Sequence, residues 1–136
     1  MIKIILASES KIKEDAVKQW FKKSIKKDLV FIKKVNVSDS LLPPQPINTG
    51  GILICSDRIK FVEKNVPNIQ DYEYIISIEN CLKIRDNKIL DCVYIKIKDI
   101  LLDCEYSANG GDVEITYKFL KDYPKFQGHV FCEEYL

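Results

Sequence analysis

The sequence predicts an α/β domain with a mixed β-sheet, because strand and helix patterns alternate along the chain. An apolar run at residues 2–7 precedes a helical pattern and then a second strand pattern, which favours a parallel crossover. Two further strand segments flank residues 86–88 and predict an antiparallel hairpin. The 136 residues, of which 46% are hydrophobic, suffice for one core, so we expect residues 1–136 to form a single domain.

The first strand and helix are predicted within the segment IKIILASESKIKEDAVKQWF. Residues 2–7 are apolar except for Lys3, which is typical of a strand buried on both faces. Ser10 is of a residue type that caps helix N-termini. The apolar positions after it follow the helical period and predict one buried face: Ile12, Ala16, Val17, Trp20 and Phe21.

A second strand and a second helix are predicted before the middle of the chain. The strand lies in DLVFIKKVNV, and the proline-rich stretch SDSLLPPQPINTGG after it predicts an irregular connection. The helix follows, because one set of apolar positions recurs at helical spacing: Ile52, Cys55, Ile59 and Val62.

The remainder of the chain is richer in strand patterns. YEYIISIE predicts one strand, while CLKIR and CVYIKIK predict the arms of the hairpin. After these, ILLDCEYS predicts another strand, ANGGD a turn, and VEITYKFLKDY a short last helix. The tail beyond has no clear period, and we expect its aromatic residues to cap the core.

Charge and cysteine usage exclude several classes of protein. The 21 basic and 20 acidic residues give a net charge of +1, so we expect no nucleic-acid partner and no membrane partner. The five cysteines form no CxxC pair, and their odd number favours free or buried thiols in a reducing cytoplasm. No apolar run reaches the roughly 20 residues that cross a bilayer. The single histidine, His129, supports no histidine-based catalytic site.

The loop between the first strand and the first helix is the main candidate site. Unpaired amides at a helix N-terminus favour anions such as phosphate. Ser8 and Ser10 can donate hydroxyl hydrogen bonds, while Lys11 and Lys13 supply positive charge. The loop is not a P-loop, since it contains no glycine. The alternative interpretation is an ordinary capped helix with solvated lysines.

Three segments, in order, carry a family resemblance. The first, ASESKIKEDAV, is similar to the pattern ASTNPxKINAV, and its matches include Ser8 and Lys13. The second, QPINTGG with SDRIKFV, is similar to QPxGxEETxxGAxNRAxxA through Arg58, and the third, YEYIISIENCL, is similar to DYxVGIEGGL through Glu79. These patterns belong to the non-canonical purine NTP phosphatases, or inosine/xanthosine triphosphatases, of the ITPase-like superfamily. The first loop also resembles the opening of the Maf-type nucleotide pyrophosphatases.

The resemblance implies an elongated mixed β-sheet flanked by helices, a homodimer, and Mg²⁺-dependent hydrolysis of purine nucleoside triphosphates such as ITP and XTP. Lys13 and Glu79 would then be catalytic, and Glu79 would also bind the metal. Loop chemistry and the resemblance together assign substrate binding to Ser8, Ser10, Lys11, Asp57 and Arg58.

The chain departs from the family pattern in three places. Thr49, Gly50 and Gly51 stand where the family has an acidic EET segment, which removes a carboxylate from the expected metal site. Asn80 and Cys81 replace glycines that let the substrate approach the backbone. The family pattern also continues further, so we expect a C-terminally shortened domain. These departures leave open a domain that binds a nucleotide or a protein without turnover, and a plain interaction domain that shares only the fold.

Overall fold

A computed structural model describes residues 1–25, 30–37, 50–116 and 118 of the chain. Within these residues it contains two α-helices and five strands, namely β1 (Ile2–Leu6), α1 (Lys11–Trp20), β2 (Val30–Lys34), α2 (Gly50–Asn65), β3 (Tyr74–Arg85), β4 (Lys88–Asp99) and β5 (Cys104–Ile115). A π-helical turn at Phe21–Ile25 extends α1, and a 3-10 turn at Ile69–Asp71 precedes β3. This order of elements confirms the predicted α/β class.

The strands form one mixed sheet in the order β2-β1-β3-β4-β5. β1 pairs in parallel with both β2 and β3, whereas β3, β4 and β5 pair in antiparallel fashion. The unit β1–α1–β2 is therefore the predicted parallel crossover, and β3–β4 is the predicted hairpin. Because two parallel neighbours flank β1, its carboxyl end lies inside the sheet, where α/β folds commonly place a ligand.

The sheet has a helix on each face, and each helix covers its own apolar cluster. On the face that we call the α2 face, the buried cluster comprises Ile5, Ala7, Val37, Ile59, Val62 and Ile75. On the opposite face, the α1 face, it comprises Ile4, Leu6, Val17, Phe21 and Ile76. Successive side chains of a strand point to opposite faces, so β1 needs apolar residues at both its odd-numbered and its even-numbered positions. This requirement explains the nearly continuous apolar run in β1 and confirms the prediction that it is buried on both faces.

The predicted buried face of α1 is wrong in part. Val17 and Phe21 are buried, but Ile12 is 82% exposed, Trp20 is 48% exposed, and Ala16 is exposed as well. Glu14 is buried instead, and its carboxylate lies 3.0 Å from Nζ of Lys18 and 2.9 Å from Nζ of Lys34 on β2. A charged residue can take an inward position when oppositely charged groups pair with it. The lysine from β2 provides such a partner, which helical periodicity alone does not reveal.

Replacing Glu14 with glutamine is expected to lower the unfolding midpoint in neutral urea titrations and to reduce the loss of stability in acid. Hydrogen bonds from Lys34 and Lys18 lower the pKa of Glu14 from 4.5 to about 2. A lowered pKa stabilises the fold above pH 4.5, and this contribution is lost as the pH falls through the folded-state pKa of about 2. Urea denaturation at a series of pH values measures the effect. The matched control is Asp15→Asn in an exposed pair, and a wild-type acid profile for Glu14→Gln would contradict the prediction.

The hairpin of β3 and β4 is longer than predicted. β3 runs without interruption from Tyr74 to Arg85, so the segments YEYIISIE and CLKIR form one strand. Asp86 and Asn87 form the turn with φ of 53° and 60°, the left-handed pair that a two-residue hairpin requires. Asparagine and aspartate tolerate this conformation better than other residues with a side chain, which accounts for the turn at this position.

The prediction of a turn at ANGGD is wrong, because this segment lies inside β5. The turn instead precedes β5, where Asp103 has a φ of 53°. The pairing of β4 with β5 shifts between Asp91 and Val93, and Gly111 has a φ of +70° near this irregularity. Glycine adopts positive φ at little cost, so the strand absorbs the irregularity and continues.

Other predictions fall partly outside the described residues. The predicted last helix is wrong at its start, because residues 113–115 belong to β5, while residues 117 and 119–123 are not described. The proline-rich connection lies outside the description up to residue 49. The predicted buried face of α2 is confirmed at Cys55, Ile59 and Val62, whereas the side chain of Ile52 lies outside the description. None of the described helices is long and apolar enough to cross a membrane.

Candidate functional site

The loop after β1 is held in place by its own serines. The backbone N–H of Ser10 donates to Oγ of Ser8 at 3.1 Å, and the N–H of Lys13 donates to Oγ of Ser10 at 3.3 Å. Ser10 is therefore the predicted N-cap of α1. Each hydroxyl oxygen accepts one bond, and each hydroxyl proton can still be donated elsewhere. The two serines thus shape the N-terminus of α1 and retain donors that an anion could accept.

Arg58 joins this loop to the second helix and to β3. Its Nη1 donates to the backbone oxygen of Ala7 at 3.4 Å, across 51 residues of sequence. Its Nε lies 2.9 Å from Oε2 of Glu79, and the two side chains are only 13% and 12% exposed. The structure therefore brings together two residues that the sequence analysis selected separately. They form a nearly buried ion pair next to the carboxyl end of β1. We call this region the Arg58–Glu79 cleft, because α/β folds commonly have a crevice at the carboxyl end of a strand with parallel neighbours on both sides.

Cys55 lies beside this cleft, and the charges of the cleft shift the pKa of its thiol. Its Sγ is 3.8 Å from the backbone oxygen of Ser77. Burial raises the pKa of the Cys55 thiol, the negative charge of Glu79 adds to the rise, and the positive charges of Arg58 and Lys13 oppose it. The charge of Lys13 thus acts on the same thiol as the charges of Glu79 and Arg58. The sequence predicted Cys55 only as a core residue, and no pattern in it signalled a place beside the site.

Two of the predicted site residues point elsewhere. Lys11 forms an ion pair with Asp15, its Nζ 3.1 Å from Oδ1, and both side chains are more than half exposed. Asp57 lies on the exposed side of α2, although Arg58 follows it directly. The described contacts place Arg58 and Glu79 together beside the loop that Ser8 and Ser10 shape, with Lys13 in the first turn of α1. They do not bring Lys11 or Asp57 to this place.

Lys96 is a cation of the α2 face that the sequence analysis did not select. It pairs with Ser77 across β3 and β4, so both point to the same face of the sheet as Glu79. Its Nζ lies 2.7 Å from Oγ of Ser56 and 3.0 Å from the Glu105 carboxylate. The alternating pattern of β4 marks the face on which this lysine lies. It does not reveal the helix and the strand that supply its partners.

Ser77 is completely buried on the same face, and its Oγ has no hydrogen-bond partner among the described residues. A buried hydroxyl without a partner costs free energy relative to an apolar group of similar size. Ser77 lies next to Ile76, which is paired with the last residue of β1. The unpartnered oxygen is therefore close to the point where β1 ends and the candidate loop begins.

Replacing Ser77 with alanine is expected to leave the free energy of unfolding unchanged or to raise it by about 1 kcal/mol, because the variant removes an unpaired buried group. Ser56→Ala is the matched control on α2, since it removes the hydrogen bond from Lys96 and should cost about 1 kcal/mol. Chemical denaturation of both variants measures the difference. A loss for Ser77→Ala as large as that for Ser56→Ala would mean that the Ser77 hydroxyl has a partner in solution.

The cysteines of the hairpin are buried neighbours of the cleft. Cys81 and Cys92 face each other across β3 and β4, with their Sγ atoms 2.7 Å apart, and both are free thiols. Burial, with the hydrogen bond to Cys92, raises the pKa of Cys81 to about 12, so this thiol is a poor nucleophile. The prediction of free or buried thiols is confirmed for these two, for Cys55 and for Cys104, whereas Cys132 lies outside the described residues.

The donors suited to a metal ion are few in the described part of the chain. No three histidine, cysteine, aspartate or glutamate residues there lie close enough to hold an ion together. Glu79 is the only predicted metal ligand, and its carboxylate is engaged by Arg58. The arrangement thus offers one carboxylate and several cationic side chains, which suit an anionic ligand better than a metal ion alone.

The fold has a counterpart among solved structures. The crystal structure of protein VC0702 from Vibrio cholerae matches it with a TM-score of 0.72 and 18% sequence identity, over 96% of this chain and 80% of that chain. At this identity the likeness shows a shared fold alone. No model of a protein family matches the sequence, and no curated protein does.

Proposed function

We propose that the chain is a Mg²⁺-dependent hydrolase of deaminated purine nucleoside triphosphates such as ITP and XTP, with the phosphates bound at the Arg58–Glu79 cleft. One observation carries this proposal. A cation and a carboxylate meet there, largely shielded from water, beside the capped N-terminus of α1. Phosphoanhydride hydrolysis depends mainly on positioning and on neutralising negative charge, which these groups can supply. The choice of base rests on the family resemblance of the three segments.

The phosphate contacts follow from the charges at the start of α1. The positive end of the helix dipole favours an anion at the start of α1. Ser8 and Ser10 accept backbone hydrogen bonds there, so their hydroxyl protons remain available for donation to such an anion. Lys13 contributes an ammonium group from the first turn of α1, and Arg58 contributes a planar guanidinium from α2. A polyphosphate at the carboxyl end of β1 would lie beside the start of α1 and beside Arg58 of α2.

Glu79 fits a magnesium ion that arrives with the phosphates. Mg²⁺ is typically held in proteins by one or two carboxylates together with substrate phosphates and water. A single buried carboxylate can therefore be the protein's whole contribution to the ligands of the ion. When bound, the ion would neutralise part of the phosphate charge, and Glu79 would be the residue that holds it. The missing acidic segment at residues 49–51 fits this reduced donor set.

Glu79 also has a role of its own in the proposed reaction. In this structure its carboxylate forms an ion pair with Arg58, with Oε2 of Glu79 2.9 Å from Nε of Arg58. A bound phosphate competes for the same guanidinium, because it also pairs with arginine in bidentate geometry. Released in part from Arg58, Glu79 can orient a water molecule towards the phosphorus atom. The water oxygen then bonds to phosphorus as the anhydride P–O bond breaks. The departing phosphate oxygen keeps the bonding electron pair, and the proton released by the water passes to the solvent.

A second candidate function is nucleotide binding without turnover. The engagement of Glu79 by Arg58 favours it, because the only predicted metal ligand is already neutralised. Within the described part of the chain, no second carboxylate joins Glu79 to complete a metal site. The two candidates share the phosphate contacts of Lys13 and Arg58 and differ only in whether Glu79 can become free.

The decisive experiment measures phosphate and pyrophosphate release from ITP, XTP and the four standard nucleoside triphosphates in Mg²⁺. Turnover of ITP or XTP is expected. Lys13→Ala and Glu79→Gln should each lower kcat/KM at least tenfold, which corresponds to about 1.4 kcal/mol of transition-state stabilisation. The matched control is Lys60→Ala, which removes an exposed lysine of α2 that has no place in the cleft.

Thermal unfolding with and without nucleotide separates the two candidates. A raised melting temperature that Lys13→Ala abolishes, without turnover in the wild type, supports the binding function alone. The absence of both turnover and a temperature shift would exclude both candidates. Turnover that persists unchanged in Glu79→Gln would exclude the proposed role of this carboxylate.

A further inference from the structure

Two cysteines of the β3–β4 hairpin lie in register, with their sulfur atoms in contact. Cys81 and Cys92 are directly opposite each other in the antiparallel pairing, and their Sγ atoms are 2.7 Å apart. A disulfide has an S–S bond of about 2.05 Å and joins Cα atoms that are usually about 4.4–6.8 Å apart. Opposed residues of antiparallel strands have Cα atoms about 4.5 or 5.5 Å apart, which is within this range. The backbone therefore already places the two thiols where a disulfide fits.

The hydrogen bonds of the two thiols favour this pairing over any other in the same cluster. Sγ of Cys92 donates to the backbone oxygen of Cys81 at 3.2 Å, which leaves the proton of Cys81 for the contact between the sulfurs. Cys55 belongs to the same buried cluster, but its Sγ lies near the backbone oxygens of Ser77 and Tyr94, at 3.8 and 3.6 Å. The described contacts thus pair Cys81 with Cys92 and leave Cys55 to the backbone.

Strand β4 has room to adjust at Cys92. The pairing of β4 with β5 shifts between Asp91 and Val93, so Cys92 lies at a β-bulge. On the β5 side, a Cβ added at Gly110 or Gly111 would meet no heavy atom within 4 Å. A bulge interrupts the ladder and can re-aim a side chain. Bringing the sulfur atoms from 2.7 Å to a bond length of about 2.05 Å therefore needs only a local change in β4.

We propose that Cys81 and Cys92 are a reversible oxidation site, at which a hydroperoxide converts the two thiols into a disulfide. The inference does not rest on the proposed hydrolase function. One thiolate attacks a peroxide oxygen, so that an S–O bond forms, the O–O bond breaks, and the departing oxygen takes the electron pair and a proton. The second sulfur then attacks the sulfenic acid. An S–S bond forms as the S–O bond breaks, and the hydroxide leaves as water with the proton of the second thiol. The two sulfurs lose two electrons, and the peroxide gains them.

The burial of the pair selects a small and uncharged oxidant. Cys81 is completely buried, and Cys92 is buried as well. Burial also raises the pKa of Cys81, which keeps its thiolate form scarce and its oxidation slow. Hydrogen peroxide meets these requirements, whereas a bulky disulfide such as oxidised glutathione does not. In the reverse direction, two thiol groups of dithiothreitol supply the two electrons and two protons that restore both cysteines.

Peptide mapping of the full-length protein after treatment with hydrogen peroxide tests the proposal. Trypsin cleaves after Lys83, Arg85 and Lys88, so the peptides that carry Cys81 and Cys92 stay together only through a disulfide. We expect a linked pair of peptides that has lost two hydrogen atoms and that dithiothreitol separates. The absence of this linked pair would overturn the proposal. A sulfinic acid at either cysteine in place of the link would overturn it as well, because that oxidation is not reversed by a thiol.

Variants of single cysteines establish which sulfur atoms take part. Cys81→Ser and Cys92→Ser should each abolish the linked pair. Cys104→Ser should preserve it and is the matched control, because Cys104 is an exposed cysteine of β5. A link from either hairpin cysteine to Cys55, or a link between two chains, would overturn the assignment. Mapping of the wild type gives the same information about partners if a variant does not fold.

Urea unfolding of the oxidised and the reduced wild type gives a second measurement, which does not depend on any variant. A disulfide across the hairpin restricts the unfolded chain, so we expect a higher urea midpoint after oxidation. Dithiothreitol should return the midpoint to its original value. An unchanged or lower midpoint in the oxidised protein would contradict the inference that the backbone already fits the disulfide, and would overturn the proposal.

Discussion

Replacing Arg58 with methionine is expected to lower the free energy of unfolding by about 3–5 kcal/mol, since it leaves a buried charge without its partner. The Glu79 carboxylate is only 12% exposed, and its described partner is Nε of Arg58 at 2.9 Å. Methionine retains much of the aliphatic volume of arginine but cannot donate a hydrogen bond. The loss should therefore come from electrostatics more than from packing. Urea denaturation at neutral pH measures it.

The double variant Arg58→Met with Glu79→Leu should recover most of this loss, because apolar replacement of both members of a buried pair is often neutral or stabilising. Lys11→Met is the matched control. Its partner Asp15 is 53% exposed, and we expect a change of less than about 1 kcal/mol. Equal losses for Arg58→Met and Lys11→Met would mean that the Arg58–Glu79 pair is open to water.

Replacing Phe21 with alanine is expected to cost about 3–5 kcal/mol, the usual range for removing a buried aromatic side chain. Phe21 is 2% exposed and belongs to the cluster that holds α1 against β1 and β3. Its ring meets that of Trp20 edge-on, with centroids 4.9 Å apart, and that of Tyr74 at 6.3 Å. The variant thus removes both the packing under α1 and two aromatic contacts.

Denaturant unfolding of Phe21→Ala alongside Phe31→Ala checks this expectation. Phe31 is 45% exposed, and its truncation should cost much less than that of Phe21. A similar cost for the two variants would show that the cluster around Phe21 does not anchor α1.

The fold was predictable wherever a local pattern determines the structure. The buried strand β1, the cap at Ser10 and the turn at residues 86–87 each follow from a few neighbouring residues. The predictions are wrong where a residue that is distant in the sequence determines the local structure. Glu14 is buried because Lys34 of β2 pairs with it, and ANGGD continues β5 because β4 offers a partner on its long edge. Periodicity carries no information about either partner.

The candidate site was predictable as a set of residues but not as a geometry. Arg58 and Glu79 each matched a family pattern, whereas their pairing depends on how α2 packs on β3. Ser77 and Lys96 carried no signal, since a serine or a lysine in a strand pattern indicates only a face. Lys11 was selected for its charge, but its short-range pair with Asp15 keeps it on the outer side of α1.

The hydrogen bond from Arg58 to Ala7 connects parts of the chain that are 51 residues apart. By contrast, the antiparallel strands β3, β4 and β5 join segments that follow one another directly. Closing long loops costs entropy that only the completed tertiary structure repays. The cleft therefore exists only when the first strand, the second helix and the third strand have all met. Affinity for an anion at this place would report on the integrity of the whole domain and would be absent from any fragment that keeps only the local hairpins.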